Sequence, residues 1–186
     1  ARAQKDLEKL GVNVLVNTAV AEIKPRSIIV KSGDPIPSEI TIWAAGVKGE
    51  PAGEILNLPI VNTRIDVDNT LQVKNYPGIF AIGDIAGFVG KDERFLPMVA
   101  PVAMQQGRFI AKQIKRLAGG QPLEAFKYID KGSMATIGRH KAIVEVKNFR
   151  MAGIPAWYAW LWLHLFYLLG GRNKIGTMAD WTWNYL

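Results

Sequence analysis

The chain has 186 residues, 49% of them hydrophobic, enough for one compact domain or one domain plus an appendage, so a disordered tail is excluded. Lys and Arg outnumber Asp and Glu by 23 to 16; the resulting +7 favours an anionic partner, whether nucleic acid, phosphate groups or an acidic membrane face. There is no Cys and the only histidines are His140 and His164, which excludes disulfides, thiolate metal sites and a cysteine redox pair and disfavours a multi-His metal site.

Residues 1–10 have helical composition, and Gly11 stands just past the last apolar residue, where helices stop. The chain opens on Ala1 rather than Met, with scattered charge, no apolar signal core and no strand ahead of the first helix, so it is expected to be an excised piece of a longer protein. Residues 12–16 alternate as a strand. Residues 18–23 and 27–30 are two further β runs joined by Lys24-Pro25-Arg26, 32–35 form a turn cluster, and 39–45 read as a strand that ends at Gly46. Strands so closely spaced predict a small antiparallel meander rather than repeated βαβ units.

Residues 49–62 are loop-like, with Pro51 and Pro59, and 64–67 with 71–73 predict a short hairpin around Asp68-Asn69-Thr70. Residues 78–82 read as a buried strand that empties into a loop at Gly83-Asp84. There Gly83 lets the backbone approach a ligand and the Asp84 carboxylate accepts from hydroxyl donors. Residues 84–97 form a polar loop long enough to shape a site.

The strongest helix prediction is 100–117: Pro101 suits a first helical position and Gly119-Gly120 suits the stop. Ala103, Gly107, Ile110, Ile114 and Leu117 recur at spacings of three and four, the pattern of a buried stripe. Lys112, Lys115 and Arg116 sit near the negative end of the helix dipole, and free amide donors at the opposite end suit an anionic or electron-rich ligand. Gly107 costs roughly 1 kcal/mol relative to Ala and points to a close backbone approach. Residues 128–149 read as two strands around Gly138-Arg139.

From 151 to 171 there is no charged residue, and the segment holds Trp157, Tyr158, Trp160, Trp162, Phe166 and Tyr167. Three readings compete, a transmembrane helix, a helix buried in a protein core or dimer and a helix lying in the membrane interface, and length alone permits spanning. Pro155, His164 and aromatics placed through the middle, not in belts at the ends, favour a helix lying in the interface, with Arg150, Arg172 and Lys174 available to acidic headgroups.

The run Tyr-Pro-Gly-Ile-Phe-Ala-Ile-Gly-Asp over 76–84, the Pro-Val-Ala-Met-Gln-Gln-Gly run opened by Pro101 and the Trp-rich segment, in that order and spacing, resemble the second half of the membrane-associated type II NADH:quinone oxidoreductases. These are flavoproteins related to the two-dinucleotide-domain disulfide reductases. The resemblance implies an α/β fold, here a mixed α+β fragment: 1–46 closing the NADH domain with the β meander, 47–120 the end of the FAD domain, and 121–186 a β hairpin with membrane-binding or dimerisation helices. It implies that the parent protein passes a hydride from NADH to FAD and two electrons on to a quinone, without pumping protons.

On the matching positions, the resemblance places Asp84 on a ribityl hydroxyl of FAD with Gly83 beside it. It places Ala100, Pro101, Val102 and Ala103 along the flavin, and Gln105 as the catalytic contact on the quinone side. Pro101 stands where the family usually has Gln, which removes one polar quinone contact. Trp43-Ala44-Ala45-Gly46-Val47 looks like the family's second linking motif, putting Gly46 and Val47 on the NADH side, and a Lys at the place of Lys131 reaches the flavin. The implied partners are a quinone, peripheral membrane lipid on the cytoplasmic face of the cell membrane and a second copy in a homodimer, with neither nucleic acid nor metal. Residues 180–186 resemble the start of the family's second membrane-binding helix.

No Gly-x-Gly-x-x-Gly loop occurs in 1–186, so the anchors for the flavin's pyrophosphate are expected upstream, and the isolated piece is expected to hold FAD weakly and to be inactive. A sulfide:quinone reductase relies on cysteines, which are absent, and a soluble pyridine nucleotide reductase has little use for 156–169. A noncatalytic membrane-binding or dimerisation module is the alternative of another class.

Overall fold

The computed structural model describes residues 2–185, the last by its backbone alone; Ala1 and Leu186, the outer ends of the expected first helix and of the expected 180–186 motif, lie outside the described residues. The chain forms two compact units, one made of Ala1–Ile42 with Lys131–Leu186 and the other of Trp43–Asp130. The mixed α/β character matches the expectation from sequence.

In the first unit, helix α1 (Arg2–Glu8) ends in a Schellman turn. Gly11 takes φ +84°, its amide donates to the Glu8 carbonyl at 3.0 Å, and the Val12 amide donates to the Leu7 carbonyl at 3.2 Å. Strands β1 (Val20–Lys24), β2 (Ser27–Val30) and β3 (Ile36–Pro37) then form the antiparallel meander in sequence order. Residues 12–16 and 39–45 are not strands, contrary to the expectation. Apolar alternation permits a strand, but a ladder partner makes one, and neither segment has a partner among the described residues; Leu15, Val16, Ile40 and Ile42 remain exposed.

The same unit continues with β7 (Ser133–Thr136), β8 (Ala142–Val146) and β9 (Phe149–Gly153), an antiparallel sheet with β8 in the centre. The first two match the expected pair. The third was hidden in what looked like the start of the apolar segment. Helices α4 (Ile154–Tyr167) and α5 (Gly171–Tyr185) follow. Pro155 lies in the first turn of α4, where its missing N–H is no loss. Ala156 and Trp157 of α4 pack on Ala142 and Val144 of β8, with Trp160 and Leu161 at the margin. Gly132 lies so close to the neighbouring strand that a Cβ there would strike the Glu145 carbonyl, and its φ of +85° disfavours a side chain independently.

In the second unit, α2 (Ala52–Ile55) is a single turn, and β4 (Ile60–Val61), β5 (Arg64–Asp66) and β6 (Ala86–Gly87) form a sheet with β5 central, antiparallel to β4 and parallel to β6. The expected turn at Asp68-Asn69-Thr70 is present: Asp68 Oδ1 accepts from the amides of Thr70 (2.7 Å) and Gln72 (3.1 Å). Residues 78–82 do not form the expected strand; they are extended, with one bridge between Gln72 and Phe80 and with Ala81 buried. The core gathers Ile65, Val67, Leu71, Val73, Ala86 and Phe88 with Ile110 and Phe126.

Helix α3 (Ala100–Ala118) matches its expected limits, but its buried face is different. Val102, Gln106, Ile110 and Gln113 are buried, whereas Ile114 and Leu117 are exposed. Each of the two buried glutamines accepts from a distant backbone amide, Gln106 Oε1 from Gly83 at 2.6 Å and Gln113 Oε1 from Glu124 at 2.8 Å, while the buried Gln113 Nε2 has no hydrogen-bond partner among the described residues.

Residues 122–129 run back along α3 as a strap fastened turn by turn. Arg116 Nε donates to the Pro122 carbonyl, Gln113 holds the Glu124 amide, Phe109 meets Phe126 edge-on at 5.3 Å, and Gln105 holds Ile129. Burial, and secondarily the Asp130 carboxylate, push the Tyr128 phenol up from its ordinary value of 10.0. The folded state therefore prefers neutral Tyr128. Its contribution to stability is complete below pH about 10 and is lost as the pH climbs through the raised folded value. An ultraviolet absorbance titration should show Tyr128, identified by its loss in Tyr128→Phe, ionising above its ordinary value of 10.0; ionisation at that value would contradict this.

Candidate functional site

In the second unit, residues 83–85 form a 3₁₀ turn that lies on the first two turns of α3. Gly83 has φ +70°, and a Cβ placed on it would sit 3.4 Å from the Ala103 Cβ. Its amide donates to Gln106 Oε1. Gly83 thus provides a close approach, as expected, but the neighbour is the helix, and its N–H is engaged there.

The turn holds Asp84 outward, exposed and without a hydrogen-bond or ion-pair partner among the described residues. An ionised carboxylate in this state accepts from hydroxyl or amide donors with all its lone pairs free. Asp84 and the opening of α3 are therefore neighbours on one surface, with Gly83 as the shared wall.

A third segment reaches the same place. A Cβ at Gly49 would lie 2.7 Å from the Thr63 carbonyl oxygen, 3.4 Å from the Asp84 carbonyl oxygen and 3.5 Å from the Ile85 Cα. Gly49 therefore passes directly over the backbone of the 83–85 turn. Gly46 (φ +80°) and Val47 are exposed on this segment, with open space around Gly46. Sequence reading missed both Gly49 and Gln106. The signal for Gln106 was a polar residue four positions from Val102 and four from Ile110, between two apolar residues of the buried face. For Gly49 there was none, because its need arises from packing alone.

Gly49→Ala should destabilise this unit by about 2 kcal/mol, since the backbone carbonyl of Thr63 cannot step aside as a flexible side-chain tip would. Chemical denaturation of the variant tests this. A midpoint equal to that of the parent chain would remove the close approach from the account.

The start of α3 offers fewer donors than expected. Val99 is the N-cap and makes no side-chain cap bond; the Val102 and Ala103 amides both turn to its carbonyl, at 3.0 and 3.4 Å. Pro101 has no N–H. The Ala100 amide is the one left without a partner among the described residues.

Gln105 is also tied: its Nε2 donates to the Ile129 carbonyl at 2.9 Å and its Oε1 accepts from the Ile129 amide at 3.0 Å. This side chain pins the strap and keeps only its second Nε2 proton for another acceptor. Lys131 is an exposed residue of the first unit, just before β7. Among the described residues no group of His, Asp and Glu could hold a metal ion.

Residues 1–107 match the family described as pyridine nucleotide-disulphide oxidoreductase, and residues 131–186 match the NDH2 C-terminal domain. The chain is 37% identical over 97% of its length to the type II NADH:quinone oxidoreductase NdhA of Mycobacterium tuberculosis, of which the match covers 40%. It is 32% identical over 96% of its length to the internal alternative NAD(P)H-ubiquinone oxidoreductase A1 of Solanum tuberosum, again with 40% of that protein covered. Among solved structures, NDH2 from Plasmodium falciparum in complex with NADH superposes with a TM-score of 0.84 over 97% of this chain and 53% of that one, at 16% identity, a likeness of fold. The chain thus spans about two fifths of the length of these curated relatives.

Proposed function

The chain belongs to the pyridine nucleotide-disulphide oxidoreductase family and closes with an NDH2 C-terminal domain, and from that premise we propose that it forms the C-terminal part of a flavoenzyme that passes electrons from NADH through FAD to a quinone, without pumping protons. The observation that carries this reading is Asp84: a free carboxylate, presented by a turn that Gln106 locks, beside the opening of α3.

When bound, a flavin would supply the redox chemistry between NADH and the quinone. This chain's residues bind and orient it. Asp84 accepts from a ribityl hydroxyl. The positive end of α3, through the unpaired Ala100 amide and the close backbone of Pro101, Val102 and Ala103, favours negative charge on the adjacent ring edge. Gln106 holds the turn against the helix, and Gln105 holds the strap and offers its remaining N–H to the quinone side. Gly46 and Val47 border the NADH side, and a flavin contact of Lys131, a residue of the first unit, rests on the resemblance alone. The residues fit the ribityl and ring portions of such a nucleotide. Nothing in 1–186 has the glycine-rich pattern that holds a pyrophosphate, so that grip comes from other sequence and the isolated chain holds FAD weakly and is inactive.

The apolar surface of the first unit supports attachment to one leaflet. On α4, Ile154, Tyr158, Trp162 and Phe166 recur every fourth residue and are all exposed, and α5 adds Ile175 and Trp183. No helix among the described residues is long and apolar enough to cross a membrane. The segment once long enough to span is divided, with its first residues in β9 and a break after Tyr167. Lys174, whose ammonium lies 5.6 Å from the Phe166 ring centroid, and Arg172 stand where acidic headgroups would meet them; Arg150 is instead paired with Glu145. In this reading the enzyme is a peripheral homodimer on the cytoplasmic face of the cell membrane.

The test is an assay of the complete protein that carries this chain, purified with its flavin. Oxidation of NADH coupled to reduction of a short-chain quinone, at one quinone per NADH, is the expected result. Protein that is folded yet free of flavin, or that reduces disulfides instead, would overturn the proposal.

A further inference from the structure

Away from the Asp84 turn, on the outer side of α3, the strap and the helix enclose a groove of about 600 Å³ lined by Gln105, Arg108, Phe109, Lys112, Glu124 and Lys127, with Phe126 as its floor. Arg108 and Lys112 are one turn apart on α3, a like-charge spacing that disfavours the helix. The strap brings Lys127 into the same groove. None of the three has an ion-pair partner among the described residues. The single acid in the lining, Glu124, is committed to Arg116 at 3.1 Å.

The groove is built, because the strap that forms its second wall is fastened to α3 at both ends by glutamine amides, Gln105 on Ile129 and Gln113 on Glu124, and by the Phe109–Phe126 contact between them. Three exposed cations without an ion-pair partner among the described residues thus line one groove with an aromatic floor, where their fields add and attract an anion. Arg presents a planar fork and Lys a point charge, the pairing that suits the several oxygens of a phosphate group. We infer that this groove is a phosphate-binding site, separate from the Asp84 turn, which takes a phosphate ester or pyrophosphate group from solution or from the headgroup of an acidic phospholipid.

The test uses the full chain with two probes. Inorganic pyrophosphate, titrated by calorimetry, reads the free anion. Co-sedimentation with phosphatidylcholine vesicles, with and without phosphatidic acid, reads the lipid source, and the increment caused by phosphatidic acid separates it from apolar attachment through α4 and α5. Saturable pyrophosphate binding assigns the groove to a soluble anion, and a phosphatidate-dependent increment without it assigns the groove to a headgroup.

In either arm, Arg108→Gln with Lys112→Gln and Lys127→Gln should weaken binding about tenfold or more. A charge-matched control, Lys5→Gln with Lys9→Gln and Lys147→Gln, should leave it unchanged. Lys127→Gln alone, at an exposed strap position that leaves α3 intact, should weaken it about threefold and keeps the test valid if the triple variant fails to fold. No saturable binding in either arm, binding that survives the groove substitutions, or an equal loss in the control would overturn the site.

Discussion

Trp157→Ala should cost the first unit about 3–5 kcal/mol, the range for emptying a buried aromatic site. Trp157 is 4% exposed, and its core partners that are fully buried are only Ala142, Val144 and Ala156. Its ring also lies 4.8 Å from that of His140 and 5.1 Å, edge-on, from Tyr158. A core with so few large members cannot refill the space, and whole domains are typically stable by only about 5–15 kcal/mol. Denaturant titration followed by far-ultraviolet circular dichroism should show an early transition for this unit. Trp162→Ala, at a site 68% exposed, should leave the midpoint within about 0.5 kcal/mol of the parent. Equal midpoints for the two variants would remove Trp157 from the core.

Replacing Trp162 and Phe166 together with Ser should release the chain from lipid vesicles while leaving its fold intact. The two side chains are 68% and 74% exposed, on the α4 stripe that faces away from Trp157. The fourteen residues of α4 reach about 21 Å, short of the roughly 30 Å hydrocarbon core, so the helix fits the plane of one leaflet. Each aromatic buried in that leaflet contributes about 2 kcal/mol, so losing both lowers vesicle partitioning on the order of a hundredfold or more. Flotation with phosphatidylcholine vesicles measures this directly. Unchanged flotation of the double variant, with circular dichroism of a folded chain, would contradict attachment through α4. Trp157 and Trp160 would be poor choices for this experiment, because the first is core and the second packs at its margin, stacked on His164 at 3.8 Å.

What the sequence made legible follows the range of the interactions concerned. Helix α3 was readable to within a residue because Pro101 and Gly119-Gly120 act locally, and the end of α1 because Gly11 alone supplies the left-handed backbone of its Schellman turn. Residues 12–16 and 39–45 carry strand patterns just as clear, yet remain unpaired, since pairing depends on a partner that the pattern does not specify. The buried face of α3 was misread for a similar reason. Gln106 and Gln113 look solvent-bound until the amides of Gly83 and Glu124 arrive from distant parts of the chain.

The candidate site divides the same way. Asp84 and the proline that opens α3 were visible as residue types with an evident chemistry. The passage of Gly49 over the turn, the capture of the Gly83 amide and the engagement of both ends of Gln105 were not, because each is a product of tertiary packing.

The flavin content of an Asp84→Ala variant of the complete protein, read from its visible absorbance after gel filtration, tests the site most directly. Loss of the acceptor should release a large share of the FAD, with Asp84→Asn retaining more because its amide oxygen still accepts a hydroxyl. A variant that leaves the column with its full complement of FAD would show that this carboxylate does not hold the nucleotide.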